Sequence, residues 1–282
     1  MPIIASVANT VCPVNPVTHR REIRVIPTWV EKMIGAANYN EFCPSALTLK
    51  EDHHWSEVTQ RVGKRLAAVC DRKELAYEFR VKKDGQTINA FCLPGGKVAI
   101  TTALLARLEK EKVGDAELDA LTFEDKLAGV LGHEITHACA AHGAKRLQLG
   151  LFFLVIGKVV HVVLNRVVFQ QKSEQRDQAI DLGWMGATFF LTQAHSRQHE
   201  LQSDRIGMKY AFRAGFDPRG ALFVQKLFIK LFHENQESDW LQQAQGLMQS
   251  HPPSHDRASA LEALIAQGNY EAIAGERATE RG

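Results

Sequence analysis

FEDKLAGVLGHEITHACAAHG, residues 123–143, decides how this chain reads. Thr122, with Asp125 three residues later, resembles a capping box, and acidic Glu124 and Asp125 suit the first turn of a helix. The pattern then predicts helix through His142, with Gly143 as the break. Within it, HEITH sets His133 and His137 four residues apart, on one helix face and about one turn from each other. Both imidazoles can reach one metal ion, and Glu134 can hold a water beside it. This is the signature of a zinc peptidase. Such a site also needs a third ligand, support behind the ligands, an oxyanion stabiliser and an edge that binds substrate.

The third ligand is sought first nearby. His142 lies five residues beyond His137 on what reads as a continuing helix, off the ligand face, so it is taken as a packed or exposed helix residue. A later helix, 196–214, offers Glu200 and, one turn on, Asp204 on the same face. Glu200 completes a His, His, Glu set. Asp204 can accept a hydrogen bond from the free ring nitrogen of a ligand, His133 by preference, which fixes its tautomer. A solvated acidic face is the plainer alternative, and HEITH upstream outweighs it.

The rest of the chain sets bounds. Its 282 residues fit one large domain, or one domain with extensions. A hydrophobic content of 45% and a charged content of 23% are ordinary for a chain with a real core. A formal net charge of +2 gives no electrostatic reason for a nucleic-acid partner. Cys12, Cys43, Cys70, Cys92 and Cys139 are odd in number and irregular in spacing, without a CxxC. They predict buried thiols rather than a disulfide framework or a Cys-based zinc site. MPIIASVANTVC has no basic start and no long apolar core, so it does not read as a secretory signal, and no leucine-containing lipobox precedes Cys12.

Residues 13–50 read as a loop and extended arm. Helical spacing of Val58, Val62, Leu66 and Val69 predicts a helix over 54–73. Strands are expected at 74–81, 88–93 and 97–101, with Asp84-Gly85 as a hairpin turn and Pro94-Gly95-Gly96 as a sharp one. Thr102 is expected to cap a helix to about Lys110. Residues 147–169 are strongly apolar but interrupted by Lys158, His161 and Arg166, which favours a buried or half-buried helix over one that dips into a membrane. Further helices are predicted at 180–193 and 219–235, and 251–267 reads as a loop leading into a helix.

Together, HEITH, the Glu200-xxx-Asp204 helix and NAFCLPGGKV resemble the HtpX/Oma/Ste-type zinc metallopeptidases, peptidase family forty-eight of the metallo class. Within it the chain is similar to the small LoiP-like and Oma-like members. Asn89-Ala90-Phe91-Cys92-Leu93-Pro94-Gly95-Gly96 comes first, then His133–His137. Ser196-Arg197-Gln198-His199-Glu200-Leu201-Gln202-Ser203-Asp204 follows, and His251-Pro252 with Arg257 comes last. Order and spacing match across residues 75–265. NPVTHRRE near the start also resembles a family arm, with His19 where Gly is usual. Ser203 stands where Ala is usual, and neither departure falls on a ligand.

The resemblance implies a mostly helical α+β, zincin-like fold with a small antiparallel or mixed sheet beside the active-site helix. It places an N-terminal arm at 1–50, a peptidase domain at 51–268 and a polar tail at 269–282. One Zn²⁺ per chain would be held by His133, His137 and Glu200, with Glu134 as general base and Asp204 behind the ligands. His251 and Arg257 become candidate catalytic donors to the oxyanion. Their alternative is a capping loop in which Arg257 pairs with Asp204 or Glu200. Asn89, Ala90 and Phe91 become the edge that binds a peptide in extended form, unless Phe91 is simply core. The implied activity is zinc-dependent endopeptidase action on unfolded or misassembled proteins, membrane proteins included, with contact at a membrane surface. A zinc-binding chaperone or adaptor without hydrolysis is the alternative. The implied location is membrane-associated, periplasmic or organellar, with a cytoplasmic one as the alternative.

Overall fold

In the computed structural model the described residues are 12–163, 197–234, 251–252 and 254–273. In chain order they form α1 (Thr28–Phe42), α2 (His54–Val69), β1 (Glu78–Lys82), β2 (Ala90–Leu93), β3 (Lys97–Thr101) and α3 (Thr102–Lys110). A short α4 (Ala116–Asp119), α5 (Phe123–Cys139), α6 (His142–Val163), α7 (197–213), α8 (Gly220–Glu234) and α9 (His255–Gln267) complete them. The fold is mostly helical with a small mixed sheet, as the sequence predicts.

Helix α5 sits at the centre and is buried nearly all round. Leu127, Leu131 and Ile135 are fully buried, as are Ala128 and Thr136. Its polar Lys126, His133 and Glu134 are buried as well, so the helix is enclosed on nearly every side. The capping box at its start is present, with the Thr122 and Asp125 side chains each taking the other's backbone N–H. Two glycines set its neighbours' distances. A Cβ on Gly129 would lie 2.6 Å from the backbone of Gly220 in α8, and one on Gly132 would lie 2.7 Å from the carbonyl oxygen of Gly207 in α7. Backbones this close leave no room for side chains between them.

The sheet covers another side of α5. Its order is β1-β3-β2, with β1 parallel to β3 and β2 antiparallel. The central strand β3 is buried throughout. Gly95 and Gly96 turn β2 into β3 with φ of 80° and 84°. The turn is also pressed against its surroundings, since a Cβ on Gly95 would lie 2.8 Å from Lys32 Cα. Val58, Val62 and Leu66 of α2 join the main core, and a Cβ on Gly63 would run into the Phe79 ring at 2.7 Å.

Several expectations are corrected. Asp84-Gly85 does not join a hairpin, because β3 lies between β1 and β2. Instead the Asp84 carboxylate accepts from the backbone of Gln86 and Thr87 and simply rounds a loop. The strand expected at 74–81 begins later, at Glu78. Thr101, not Thr102, caps α3, its hydroxyl accepting from Leu104 N. Residues 28–42 are helix rather than arm, with Tyr39 and Glu31 buried. The active-site helix ends at Cys139, earlier than expected, and Gly143 lies inside the next helix. Residues 269–273 pack back onto the body, where Ile273 is buried and Glu271 pairs with Arg213.

Helix α6 presents Leu151, Phe152, Leu154, Val155 and Val159 to solvent. Among the described residues no helix is long and apolar enough to cross a membrane. The helix expected at 180–193 lies outside the described residues.

Candidate active site

Helices α5 and α7 bring the predicted ligands together. The Gly132–Gly207 contact lets these helices approach backbone to backbone, so His133 and His137 face Glu200. His133 Nε2 and His137 Nε2 are 3.0 Å apart. Glu200 Oε2 is 3.3 Å from the first and Oε1 is 3.3 Å from the second. Ligand atoms at about 2.0–2.1 Å from one tetrahedral zinc ion stand roughly 3.3–3.4 Å from each other, so the donor set fits a single zinc in spacing and in chemistry. His251 joins it. Its Nδ1 is 3.0 Å from Glu200 Oε2 and 3.2 Å from His133 Nε2. The ligand atoms of His133, His137, Glu200 and His251 all lie within 4.8 Å of one another.

Asp204 stands behind this set. His133 Nδ1–H donates to Asp204 Oδ1 at 2.9 Å, which leaves Nε2 of His133 facing the other donors. Arg257 in turn grips Asp204, Nε to Oδ2 at 2.6 Å and Nη2 to Oδ1 at 2.7 Å. Its remaining nitrogen, Nη1, donates to the Pro252 carbonyl and lies 3.1 Å from Glu200 Oε2. Arg257 thus pairs with Asp204 and lies close to Glu200, and it lines the same cavity as His133, Glu134 and His251.

Burial shapes the charges. Burial would raise the Asp204 carboxyl, but Arg257 outweighs it and holds the group down to about 2. Burial would likewise lower the His133 imidazole, but the Glu200 and Asp204 carboxylates raise it to about 10. Glu200 is held well below the usual carboxylate range, because the neighbouring His251 and His133 outweigh its own burial. A site that concentrates carboxylates and imidazoles in this way competes for cations, protons or metal.

Glu134 faces the same place. It is buried, its Oε1 lies 3.4 Å from His251 Nε2, and its Oε2 has no hydrogen-bond partner. A cavity of about 30 Å³ beside it is lined by Ala90, Leu104, Val130, Val224 and Phe228 along with His133 and Glu134. Strand β2 is the edge of the sheet on this side. Ala90 lines the cavity, whereas Phe91 packs toward Tyr39, Cys43 and Ala99 under α1. Asn89 is tied to Thr101, its N–H donating to the hydroxyl at 3.1 Å and its carbonyl accepting from Thr101 N at 3.0 Å.

One group escaped the sequence reading. His142 is not carried off the ligand face, because the helix breaks before it and restarts. Its Nδ1 lies 2.9 Å from His137 Nδ1, and its Nε2 lies 2.8 Å from Gln202 Oε1. Burial first, and then His137 and His199 beside it, hold its imidazole well below the ordinary value. The signal that could have found it is a third His after HEITH, but only with the helix break known.

Comparison with known proteins agrees with this geometry. The chain is 30% identical over 181 residues to the mitochondrial metalloendopeptidase OMA1 of Arabidopsis thaliana, covering 64% of this chain and 32% of that protein. It is 27% identical over 274 residues to the mitochondrial metalloendopeptidase OMA1 of Bos taurus, covering 90% and 46%. To the β-barrel assembly-enhancing protease of Yersinia pestis it is 28% identical over 167 residues, covering 59% and 31%. The chain thus spans between about a third and about a half of the length of these relatives. Residues 55–265 match the model of Peptidase family M48 and include every candidate ligand, Glu134 and Arg257, so the chain belongs to peptidase family M48.

Proposed function

We propose that this chain is a zinc-dependent metalloendopeptidase that cleaves unfolded or misassembled proteins, membrane proteins among them. The observation that carries the chemistry is a buried Glu134 with an unpaired oxygen beside a four-donor cluster. A zinc ion held by His133, His137 and Glu200 would polarise the peptide carbonyl and acidify water. Glu134 takes a proton from the attacking water at its unpaired oxygen and delivers it to the leaving amine. His251, between Glu134 and Glu200, donates to the carbonyl oxygen as charge develops there. Asp204 orients His133, and Arg257 holds Asp204.

The substrate lies along the Asn89–Phe91 edge of β2 in extended form and pairs with backbone groups there other than those of Asn89, which are both bonded to Thr101. The position of β2 at the end of the sheet and the presence of Ala90 in the cavity wall support this. The substrate class is the one the family resemblance implies, and the name of one relative, a β-barrel assembly-enhancing protease, is in keeping with it. We also infer contact with a membrane surface, supported by the exposed apolar side chains of α6. Co-sedimentation with phospholipid vesicles checks it, and a chain that stays in the supernatant counts against it; carbonate extraction separates surface contact, which it releases, from an inserted form. Residues 51–268 are proposed as the peptidase domain, with 1–50 and 269–282 as extensions.

Casein cleavage tests the activity. The expected result is cleavage that a zinc chelator stops and that Glu134→Gln abolishes while zinc stays bound. Full activity in Glu134→Gln would refute the mechanism. A chain that binds zinc but cleaves nothing would favour the non-catalytic chaperone or adaptor.

A further inference from the structure

His133 has Asp204 behind it; behind His137 stands another imidazole. We propose that His142 and Gln202 form the support of ligand His137, a neutral hydrogen-bonded relay that fixes which of its nitrogens faces the metal. The proposal rests on the reading that His133, His137 and Glu200 hold zinc.

The distances allow only one arrangement of protons. His137 Nε2 faces the donor cluster and must keep its lone pair to bind a metal, so its proton sits on Nδ1. That N–H donates across 2.9 Å to His142 Nδ1, which must then be unprotonated. The His142 proton is therefore on Nε2, where it donates across 2.8 Å to Gln202 Oε1. The Ser203 hydroxyl, 3.4 Å from His142 Nδ1, can add a second, weaker donation to the same acceptor. Each link is consistent with the next, and the Gln202 side chain that receives the His142 proton is an uncharged amide.

The backbone is arranged to make this contact. On a straight helix, five residues rotate a side chain by about 140° from its starting face, which would carry His142 away from His137. Instead α5 stops, and Ala141 takes a left-handed conformation with φ of 55°. That conformation is costly for a residue with a Cβ and marks a place where the surrounding structure dictates the backbone. The Asn15 side chain donates to the Ala140 carbonyl at 3.3 Å and holds the break from outside. His142 is then buried and stacked on His199, ring centroids 3.9 Å apart and planes at 15°. Because His199, Gln202 and Ser203 all belong to α7, the relay ties His137 to the helix that carries Glu200.

Its neutrality also matters. A zinc ion with Glu134, Glu200, Asp204 and Arg257 sums to zero. A further carboxylate behind His137 would make the site negative and weaken the pull on a carbonyl, whereas an imidazole–amide pair orients the ligand without adding charge.

The test uses the full chain. Zinc affinity is measured by competition with a chromophoric chelator, and ligand geometry by the visible absorption of the cobalt-substituted protein. Melting in excess chelator monitors the fold. His142→Phe keeps the ring stacked on His199 but removes the acceptor, and it should weaken zinc about 10–100-fold and change the cobalt spectrum. His142→Asn places an amide oxygen where Nδ1 was and should recover most of that loss. Gln202→Leu, which removes the far end of the relay, should fall between them. Folded His142→Phe that binds zinc like the unmodified chain, with an unchanged cobalt spectrum, overturns the proposal. So does His142→Asn as weak as His142→Phe. If His142→Phe does not fold, an unaltered affinity and spectrum in Gln202→Leu overturn it. An unmodified chain that binds zinc no more tightly than His133→Ala overturns the metal centre itself, which separates that failure from this one.

Discussion

Replacing Gly207 with Ala puts a methyl group where two backbones already touch. A Cβ at this position would lie 2.7 Å from His133 N and 2.8 Å from Gly132 C. Ordinary contact for such an atom begins at 3.4 Å, so α5 and α7 must part by about 0.7 Å. Neither obstacle is a flexible side chain that could swing aside. The two helices carry the proposed ligand set between them, His133 and His137 on one and Glu200 on the other. Metal sites tolerate ligand displacements of only about 0.2 Å, so the separation exceeds the tolerance severalfold. We expect Gly207→Ala to lose about 1–3 kcal/mol of stability from overpacking, and zinc affinity to fall at least about tenfold. Urea unfolding in excess chelator reads the first and chelator competition reads the second. Gly150→Ala is the control, since nothing lies within 4 Å of a Cβ there. It should raise stability by up to about 1 kcal/mol through helix propensity and leave zinc unchanged. Gly207→Ala with native zinc affinity would show that the glycine contact does not set the ligand geometry.

Arg257→Gln leaves Asp204 buried without its guanidinium and should cost about 3–5 kcal/mol in urea unfolding. With Asp204 held to about 2 in the folded chain and near 3.9 unfolded, its contribution is whole above about pH 4 and is lost as pH falls toward 2. That contribution is about 2–3 kcal/mol; unfolding in excess chelator should show it in the unmodified chain and not in Arg257→Gln. His251→Ala should lower kcat/KM about 10²–10³-fold while zinc affinity changes less than about tenfold, as removal of an oxyanion donor does. Loss of zinc in proportion to activity would instead place His251 among the metal ligands.

The parts of the site that were legible in the sequence are those encoded by local periodicity. HEITH and Glu200-xxx-Asp204 each sit within a single helix, where spacing alone puts side chains on one face. What was not legible depends on partners distant in the chain. Helix α1 buries Glu31, Gly35 and Tyr39, an acid, a glycine and a phenol, so no apolar stripe announces it. Glu31 is buried because it pairs with Arg72, which also donates to the Ala138 carbonyl at the end of α5. The pairing of β1 with β3 is hidden for the same reason, since Asp84-Gly85 reports a local turn and not which strand comes next. The break before His142 is carried by Ala141, a residue with no reputation for left-handed backbone. The two departures from the family pattern acquire physical content as well. His19 adopts φ of 55°, the conformation glycine takes most easily. Ser203 is fully buried and its hydroxyl reaches His142.

The grip of Arg257 on Asp204 has a consequence for the order in which the molecule is made. The chain emerges from its N-terminus, so both His ligands and Glu200 exist well before residue 257 does. Until then Asp204 is a carboxylate with no cation to accompany it into the interior, and it resists burial. His133 then lacks its fixed partner, and the proposed zinc site would gain its full support only once α9, which carries Arg257, has docked.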